Sequence, residues 1–215
     1  MRRIPLLIAV SLLAACAGSP APPSWQANAR SALDYATSAY LSGDSRLAER
    51  DFTRARAEIA RTGRPDLLAR AELVRCAARV ASLEFDECPG YLALAPDAGP
   101  AERAYAEFLA GRWTQVDSAL LPKQYLQLMT APKEPTTLAG IDDPTSRLIA
   151  AALLFRSGQL TPQGIDLATE TASAQGWRRP LLAWLGVQTQ RAKAAGDVDG
   201  FARIQRRIGL VSGMP

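Results

Sequence analysis

The chain has 215 residues, of which 48% are hydrophobic and 21% are charged, which predicts one globular domain or two small ones and excludes a disordered tail. The formal net charge is +4, and 22 of the 25 basic residues are arginines. Histidine is absent, which excludes Ser-His-Asp and Cys-His catalysis, histidine-ligated zinc and histidine-ligated haem, since each needs an imidazole.

The N-terminus has the pattern of a secretory signal peptide. Arg2 and Arg3 precede residues 4–13, a segment in which eight of ten residues are apolar. A segment of this length is too short to cross a bilayer as a stable helix. We therefore assign residues 1–15 as a signal peptide.

The motif Leu13-Ala14-Ala15-Cys16 resembles the lipobox of bacterial lipoproteins, in which the cysteine is lipidated and becomes the first mature residue. The resemblance implies lipidation of Cys16. Ala17 is not the aspartate that retains such lipoproteins in the inner membrane, which implies a lipid anchor in the outer membrane, facing the periplasm. The alternative is an ordinary signal peptide followed by a chance cysteine.

Residues 16–24 form the next segment. They contain three prolines, at positions 20, 22 and 23, a composition typical of an extended tether of polyproline character. The folded domain is then expected over residues 25–215.

Apolar residues in the domain recur at helical spacing, with almost no strand-like alternation, which predicts an all-α fold. A first helix ends at Gly43, and Asp44 caps a second helix with an apolar face at Ala48, Phe52 and Ala55. A third helix, over residues 66–84, is apolar around most of its circumference, so we expect it in the middle of the fold.

Further helices are predicted towards the C-terminus, and their ranges are 100–110, 113–129 in one or two pieces, 145–157, 162–175, 178–195 and 198–209. Three prolines and a glycine interrupt the helical pattern over residues 130–144. This segment is therefore predicted to be the longest loop, acting either as a hinge or as a binding loop.

Four glycines, at positions 43, 111, 158 and 196, each follow a predicted helix and precede another. The first unit, with Gly43, Ala48, Phe52 and Ala55, resembles the tetratricopeptide repeat family, and the other units are degenerate. The resemblance implies antiparallel helix pairs stacked as a right-handed solenoid. The alternative is an irregular helical bundle with incidental glycine turns.

Cys76 and Cys88 remain once Cys16 is lipidated, and the compartment is oxidising. A chain that doubles back after the third helix brings the two together, which predicts a disulfide. Two buried free thiols are the alternative, and without a Cys-x-x-Cys spacing we expect neither redox catalysis nor a metal site.

Acidic residues form two clusters, Glu84-Phe85-Asp86-Glu87 and Asp142-Asp143. Neither has the alternation of a calcium-binding loop, so we interpret both as solvated helix ends. The Glu-Ser pair typical of helical lytic transglycosylases, a family of cell-wall hydrolases, is absent. We therefore expect no enzyme and no cofactor.

The C-terminal segment, residues 171–215, has seven basic residues against two acidic ones. It suits an acidic protein surface, anionic lipid headgroups or cell-wall polymer, or it is simply a solvated helix face. No aromatic-interleaved basic motif indicates nucleic acid.

The sequence predicts a lipid-anchored protein–protein interaction lipoprotein with a periplasmic or outer-membrane protein partner, serving envelope, secretion or pilus assembly. Its expected groove would be lined by Tyr35, Tyr40, Arg75 and Arg79. The alternative is a helical domain that binds a small ligand or peptidoglycan in a closed cavity between the helices of residues 145–195, with a cell-wall hydrolase as a more remote option.

Overall fold

The computed structural model describes residues 23–130 and 135–213, which form an all-α fold without a β-strand. Residues 1–15, which the sequence predicts to be a signal peptide, and Cys16 lie outside the described residues. Eleven α-helices run through the described part: α1 Ser24–Ser42, α2 Ser45–Ala60, α3 Pro65–Ala81, α4 Pro89–Leu92, α5 Pro100–Leu109, α6 Leu126–Thr130, α7 Pro135–Ala139, α8 Pro144–Arg156, α9 Pro162–Ala174, α10 Arg178–Ala195 and α11 Val198–Ser212.

Capping side chains and prolines set where the longer helices begin. The side chains of four residues accept a hydrogen bond from the amide three positions on: Asp44, Asp143, Thr161 and Asp197. Helices α3, α5, α8 and α9 start with proline. Proline lacks an N–H group, which costs nothing here because the first N–H groups of a helix have no acceptor within the helix. The predicted helices 100–110, 145–157, 162–175, 178–195 and 198–209 are confirmed to within three residues.

The four turn glycines all adopt a positive φ: Gly43 at 92°, Gly111 at 76°, Gly158 at 69° and Gly196 at 66°. Three of these turns lead directly from one α-helix to the next, as predicted. The turn at Gly111 leads from α5 to a 3₁₀ turn instead. The short turns place α1 against α2, α8 against α9 and α10 against α11.

The α-helix predicted over residues 113–129 is wrong for most of its length. The chain instead makes three 3₁₀ turns, Trp113–Gln115, Ser118–Leu120 and Lys123–Tyr125, before α6. Asp117 accepts a hydrogen bond from the amide of Ala119 at 3.0 Å and starts a new turn there, and Pro122 has no N–H to continue a helix.

The segment 130–144, predicted to be the longest loop, contains the short helix α7. Leu138 and Ile141 of this segment are buried in the main core. The carbonyls of both residues accept hydrogen bonds from Arg147 Nε, at 3.3 and 3.0 Å. This half of the segment is therefore attached to α8, whereas residues 131–134 lie outside the described residues.

Helix α3 lies in the middle of the fold, as its apolar circumference predicted. It contacts α1, α2, α4, α5 and α8, and nine of its residues are buried. It ends at Ala81, three residues earlier than expected, and Leu83 turns the chain with a φ of 61°.

The apolar core has two unequal parts. The larger joins α3, α5, α8, α9 and α10, and in it the fully buried Trp184 meets Phe155 edge-to-face with ring centroids 5.7 Å apart. The smaller part lies among α1, α2 and α3 and is built mainly from alanines around Phe52 and Ile59. Because alanines fill little volume, a cleft remains beside this smaller core.

Candidate functional site

A cleft of about 230 Å³ opens between α1, α2 and α3, and we refer to it as the α1–α3 cleft. One alanine from each helix faces it: Ala36, Ala48 and Ala78. Leu33 and Val74 complete the apolar lining. The space exists because the three helices meet through small side chains where larger ones would close it.

One end of the cleft is formed by Phe52 of α2 and Arg75 of α3. The guanidinium carbon of Arg75 lies 4.8 Å from the centre of the Phe52 ring. Arg75 Nη2 also donates to Glu49 Oε2 at 2.7 Å. These contacts hold Arg75 at the cleft edge, where its side chain is partly exposed to solvent.

The other end is closed by Arg179, which comes from α10. Its guanidinium lies 4.2 Å from the centre of the Tyr40 ring. Arg179 Nε donates to the carbonyl of Tyr40 at 2.8 Å, and Nη2 donates to Ser45 Oγ at 2.6 Å. Arg179 Nη1 lies 3.5 Å from Glu84 Oε1. One side chain therefore joins α10 to both α1 and α2.

Tyr40 presents its hydroxyl group inside this end of the cleft. Burial, reinforced by the carboxylate of Glu84, raises the pKa of Tyr40 well above its ordinary value. The phenol is protonated at neutral pH and faces the carboxylate of Glu84. Its oxygen is buried and, within the described residues, has no hydrogen-bond partner of standard geometry.

The loop after α3 carries the carboxylates that face Arg79. Arg79 Nη2 lies 2.8 Å from Asp86 Oδ2 and 3.7 Å from Glu84 Oε2. Arg79 Nε is buried and, among the described residues, without an acceptor. Arg79 thus has one N–H group that the protein leaves unpaired.

The predicted pairing of the two cysteines is borne out: Cys76 and Cys88 are joined as a disulfide, with Cα atoms 5.6 Å apart. Asp86 lies close enough to both sulfurs to resemble a metal-ligand cluster. Because both thiols are used in the disulfide, we do not interpret this cluster as a metal site. The disulfide connects α3 to the end of the loop that carries Glu84 and Asp86, and so fixes the position of that loop.

The structure brings three of the four predicted partner-binding residues together. Tyr40, Arg75 and Arg79 line the cleft. Tyr35 lies elsewhere, with 62% of its surface exposed and Arg54 6.0 Å from its ring. At about 100° per helical residue, Tyr35 and Tyr40 project about 140° apart, so one cleft does not hold both.

Sequence reasoning missed Arg179. It lies 139 residues from Tyr40 along the chain, and no local pattern connects the two. Phe52 and Ala48 were visible as members of the apolar face of α2. Their role in lining a cleft depends on how α3 packs beside them.

A second, more open groove of about 490 Å³ lies between α8, α9 and α10, within the region where the ligand-binding alternative expected a closed cavity. Its lining is mostly apolar and includes Phe155, Ile165 and Val187. The groove is open to solvent, unlike the enclosed pocket typical of a small-ligand site.

The basic C-terminal segment is only partly paired. Arg207 lies 3.5 Å from Glu170, and Lys193 lies over the ring of Phe201. Four other arginines of α10 and α11 are exposed and have no ionic partner in the described part of the chain: Arg178, Arg191, Arg203 and Arg206. Of these, Arg191 lines the open groove between α8, α9 and α10.

Comparison of the chain with protein-family models, with curated proteins and with solved structures finds no match in any of the three. Among residues 23–130 and 135–213, no helix combines the length and the apolar composition needed to cross a membrane.

Proposed function

We propose that this chain is a lipid-anchored protein of the bacterial outer membrane that faces the periplasm and binds another protein without catalysing a reaction. The lipobox-like motif at Cys16 supports the anchor. The α1–α3 cleft supports the binding role, because it combines an apolar floor with arginine side chains at both ends. Such a protein would serve as a scaffold or accessory in envelope, secretion or pilus assembly.

The resemblance of the first helix pair to tetratricopeptide repeats supports the same role, since stacked helix pairs recognise partners through shape and charge. The contact between Arg75 and the Phe52 ring is the observation that carries the proposal. Arginine and aromatic residues dominate binding energy at protein interfaces, and here both are already ordered at an open cleft.

The anchor is tested by growing a bacterial host that expresses the full chain with radioactive palmitate. Cys16→Ala should abolish the label and release the chain from the membrane fraction. Cys88→Ala, the matched control, should keep both properties. A Cys16→Ala variant that still carries label would overturn the lipidation of Cys16.

The partner is tested by placing a photoactivatable phenylalanine analogue at Val74 in the cleft, with Arg206 on α11 as the control position. Irradiated cells should give a defined protein adduct at position 74 that is absent at position 206. No adduct at position 74, together with a rise in melting temperature on adding purified muropeptides, would favour the peptidoglycan-binding alternative. The groove between α8 and α10 is the observation that keeps that alternative open.

A further inference from the structure

We propose that the Cys76–Cys88 disulfide is a redox-sensitive device that holds Asp86 against Arg79, and that reduction of the bond separates this pair. Arg79 lines the α1–α3 cleft, so the device changes the charge of the cleft. The inference goes beyond the proposed function and does not depend on which partner the cleft binds.

The loop between the two cysteines carries the carboxylate that neutralises Arg79. Asp86 Oδ2 lies 2.8 Å from Arg79 Nη2, the distance of a charge-assisted hydrogen bond. Glu84 Oε2 lies 3.7 Å from the same nitrogen, and Glu84 is shared with Arg179. Asp86 is therefore the main anionic partner of Arg79, and its loss would leave a positive charge at the cleft.

The backbone of Cys88 connects the position of Asp86 to the disulfide. Asp86 Oδ1 accepts a hydrogen bond from the N–H of Cys88 at 3.0 Å. One oxygen of the carboxylate thus contacts Cys88 while the other contacts Arg79. A movement of Cys88 is therefore passed directly to the ion pair.

The conformation of Cys88 favours such a movement once the bond is broken. Its φ is 49°, in the left-handed region that residues other than glycine rarely adopt. The next residue is Pro89, and a residue before proline prefers an extended backbone. An unfavourable conformation of this kind persists where the surrounding structure imposes it, and the bond to Cys76 is the covalent constraint at this position. After reduction, Cys88 is free to relax towards a negative φ.

The first half of the loop has attachments of its own, which confine the change to residues 86–88. The guanidinium of Arg156, on α8, lies 5.2 Å from the centre of the Phe85 ring. Glu84 pairs with Arg179 of α10 at 3.5 Å. We therefore expect the reduced chain to keep its fold, with Phe85 in place and Asp86 displaced from Arg79.

The disulfide is open to attack by an external dithiol. Both cysteines line a recess of about 230 Å³, and Cys88 is partly exposed, whereas Cys76 is only 3% exposed. One thiolate of the dithiol attacks Cys88 Sγ, the bond between the two cysteines breaks, and Cys76 leaves as a thiolate. The second thiolate of the dithiol then displaces Cys88. The dithiol ends as a disulfide, and the two cysteines take up the two electrons and two protons that it gives up.

Hydrogen exchange of the full chain in detergent, measured by mass spectrometry, tests the movement of Cys88. The amides of Tyr91 and Leu92 donate to the carbonyl of Cys88, at 2.9 and 3.1 Å, so they report its position. After treatment with dithiothreitol, residues 86–92 should exchange about tenfold faster within minutes, while α9 stays protected in both states. Cys88→Ala should exchange at the faster rate with or without dithiothreitol. Equal exchange of residues 86–92 in the oxidised and reduced chains would overturn the proposal.

Melting temperatures test whether the bond controls the pair between Asp86 and Arg79. In the oxidised chain, Asp86→Asn removes the pair and should lower the melting temperature by about 2–4 °C. In Cys88→Ala, which breaks the bond and leaves Cys76 in the core, the pair is already lost, so adding Asp86→Asn should change the melting temperature by less than about 1 °C.

The matched control is Glu87→Gln, which removes the neighbouring carboxylate. Glu87 is exposed and has no ion pair in the described part of the chain, so its substitution should have the same small effect with and without Cys88→Ala. An equal fall in melting temperature for Asp86→Asn in both backgrounds would show that Asp86 stays on Arg79 without the bond, and that the disulfide is not the device proposed.

Discussion

Gly90 lies against the carboxylate of Glu72, at the point where α4 begins beside α3. Only 5% of Glu72 is exposed, and its carboxylate pairs with Arg56 of α2. A Cβ atom at position 90 would collide with that carboxylate, which could give way only by moving from its place beside Arg56. Glycine at this position is therefore required by the ion pair between Glu72 and Arg56.

Gly90→Ala should lower the free energy of unfolding by about 1–3 kcal/mol, because the added methyl group displaces Glu72 from its partner. Gly186→Ala is the matched control, since a Cβ atom there meets nothing within 4 Å. That change should stabilise the protein by up to about 1 kcal/mol through the better helix propensity of alanine. Urea unfolding of both variants measures the difference, and equal stabilities would contradict the collision.

Tyr125 makes stability sensitive to alkaline pH. Burial raises its pKa to about 12, above the value near 10 of an unfolded tyrosine. Between these values the unfolded chain releases the Tyr125 proton and the folded chain keeps it. The stability that this group contributes is complete below pH 10 and is lost as the pH rises through 12.

Tyr125→Phe should therefore reduce the fall in unfolding free energy between pH 10 and 12, at most by roughly 1.4 kcal/mol per pH unit. Urea unfolding at several pH values in this range gives the slope, and Tyr35→Phe, at an exposed position, is the matched control. Tyr105 is partly buried beside Tyr125, and its pKa is raised too, so part of the slope should remain. An unchanged slope in Tyr125→Phe would show that the phenol does not titrate between folded and unfolded states as described.

At the level of elements, the disulfide fixes the loop between α3 and α4. The bond joins cysteines 12 positions apart, and the segment between them carries Glu84 and Asp86, which face Arg79. The loop is also held by the stacking of Arg156 on Phe85 and by the ion pair between Glu84 and Arg179. Its backbone turns through a positive φ at Leu83 and again at Cys88.

Reduction of the disulfide should cost about 3 kcal/mol, since the unfolded chain regains the freedom that the bond removes. For a chain of this size, that cost corresponds to a fall in melting temperature of roughly 6–12 °C. Thermal unfolding of the wild type with reductant should match the double variant Cys76→Ala, Cys88→Ala. The double variant should not respond to reductant, and a wild type that also fails to respond would contradict the stabilising role.

Helix positions could be predicted from the sequence where local chemistry specifies them. The Asp44 and Asp197 caps and the prolines at positions 144 and 162 act within a few residues of a helix start, and those helices were located closely. The helix predicted over residues 113–129 was wrong, although the apolar spacing there is helical. Pro122 and the turn at Asp117 set the backbone conformation of this stretch. The apolar spacing alone does not show which side chains are buried: Leu121 and Tyr125 are buried in this stretch, whereas Leu120, on the predicted helical face, is exposed.

At the scale of the whole molecule, Arg179 connects helices that are far apart in the sequence. It bonds Tyr40 on α1 and Ser45 on α2 from the first turn of α10. The site could be predicted only in part for this reason. Tyr40, Arg75 and Arg79 lie on neighbouring helices of the first part of the chain. Arg179, which closes the cleft, lies beside them only because α10 packs against α1 and α2.

Arg179→Ala should lower the free energy of unfolding by about 1–3 kcal/mol, because two hydrogen bonds and the stacking on Tyr40 are lost together. Arg179→Lys should recover little, since an ammonium group cannot reproduce the planar fork of contacts. Arg206→Ala, at an exposed arginine without an ionic partner among the described residues, should stay within about 0.5 kcal/mol of the wild type. Urea unfolding measures all three, and a neutral Arg179→Ala would mean that packing alone holds α10 in place.

The cations of the cleft are all guanidinium groups, and this decides which chemical labels can be used on the molecule. The chain has only three lysines, Lys123, Lys133 and Lys193, and the cleft lining, as far as the structure describes it, includes none of them. Amine-directed biotin or dye should therefore attach the protein to a sensor surface with the cleft cations unmodified. A dicarbonyl reagent such as phenylglyoxal, which reacts with arginine, should instead block the cleft.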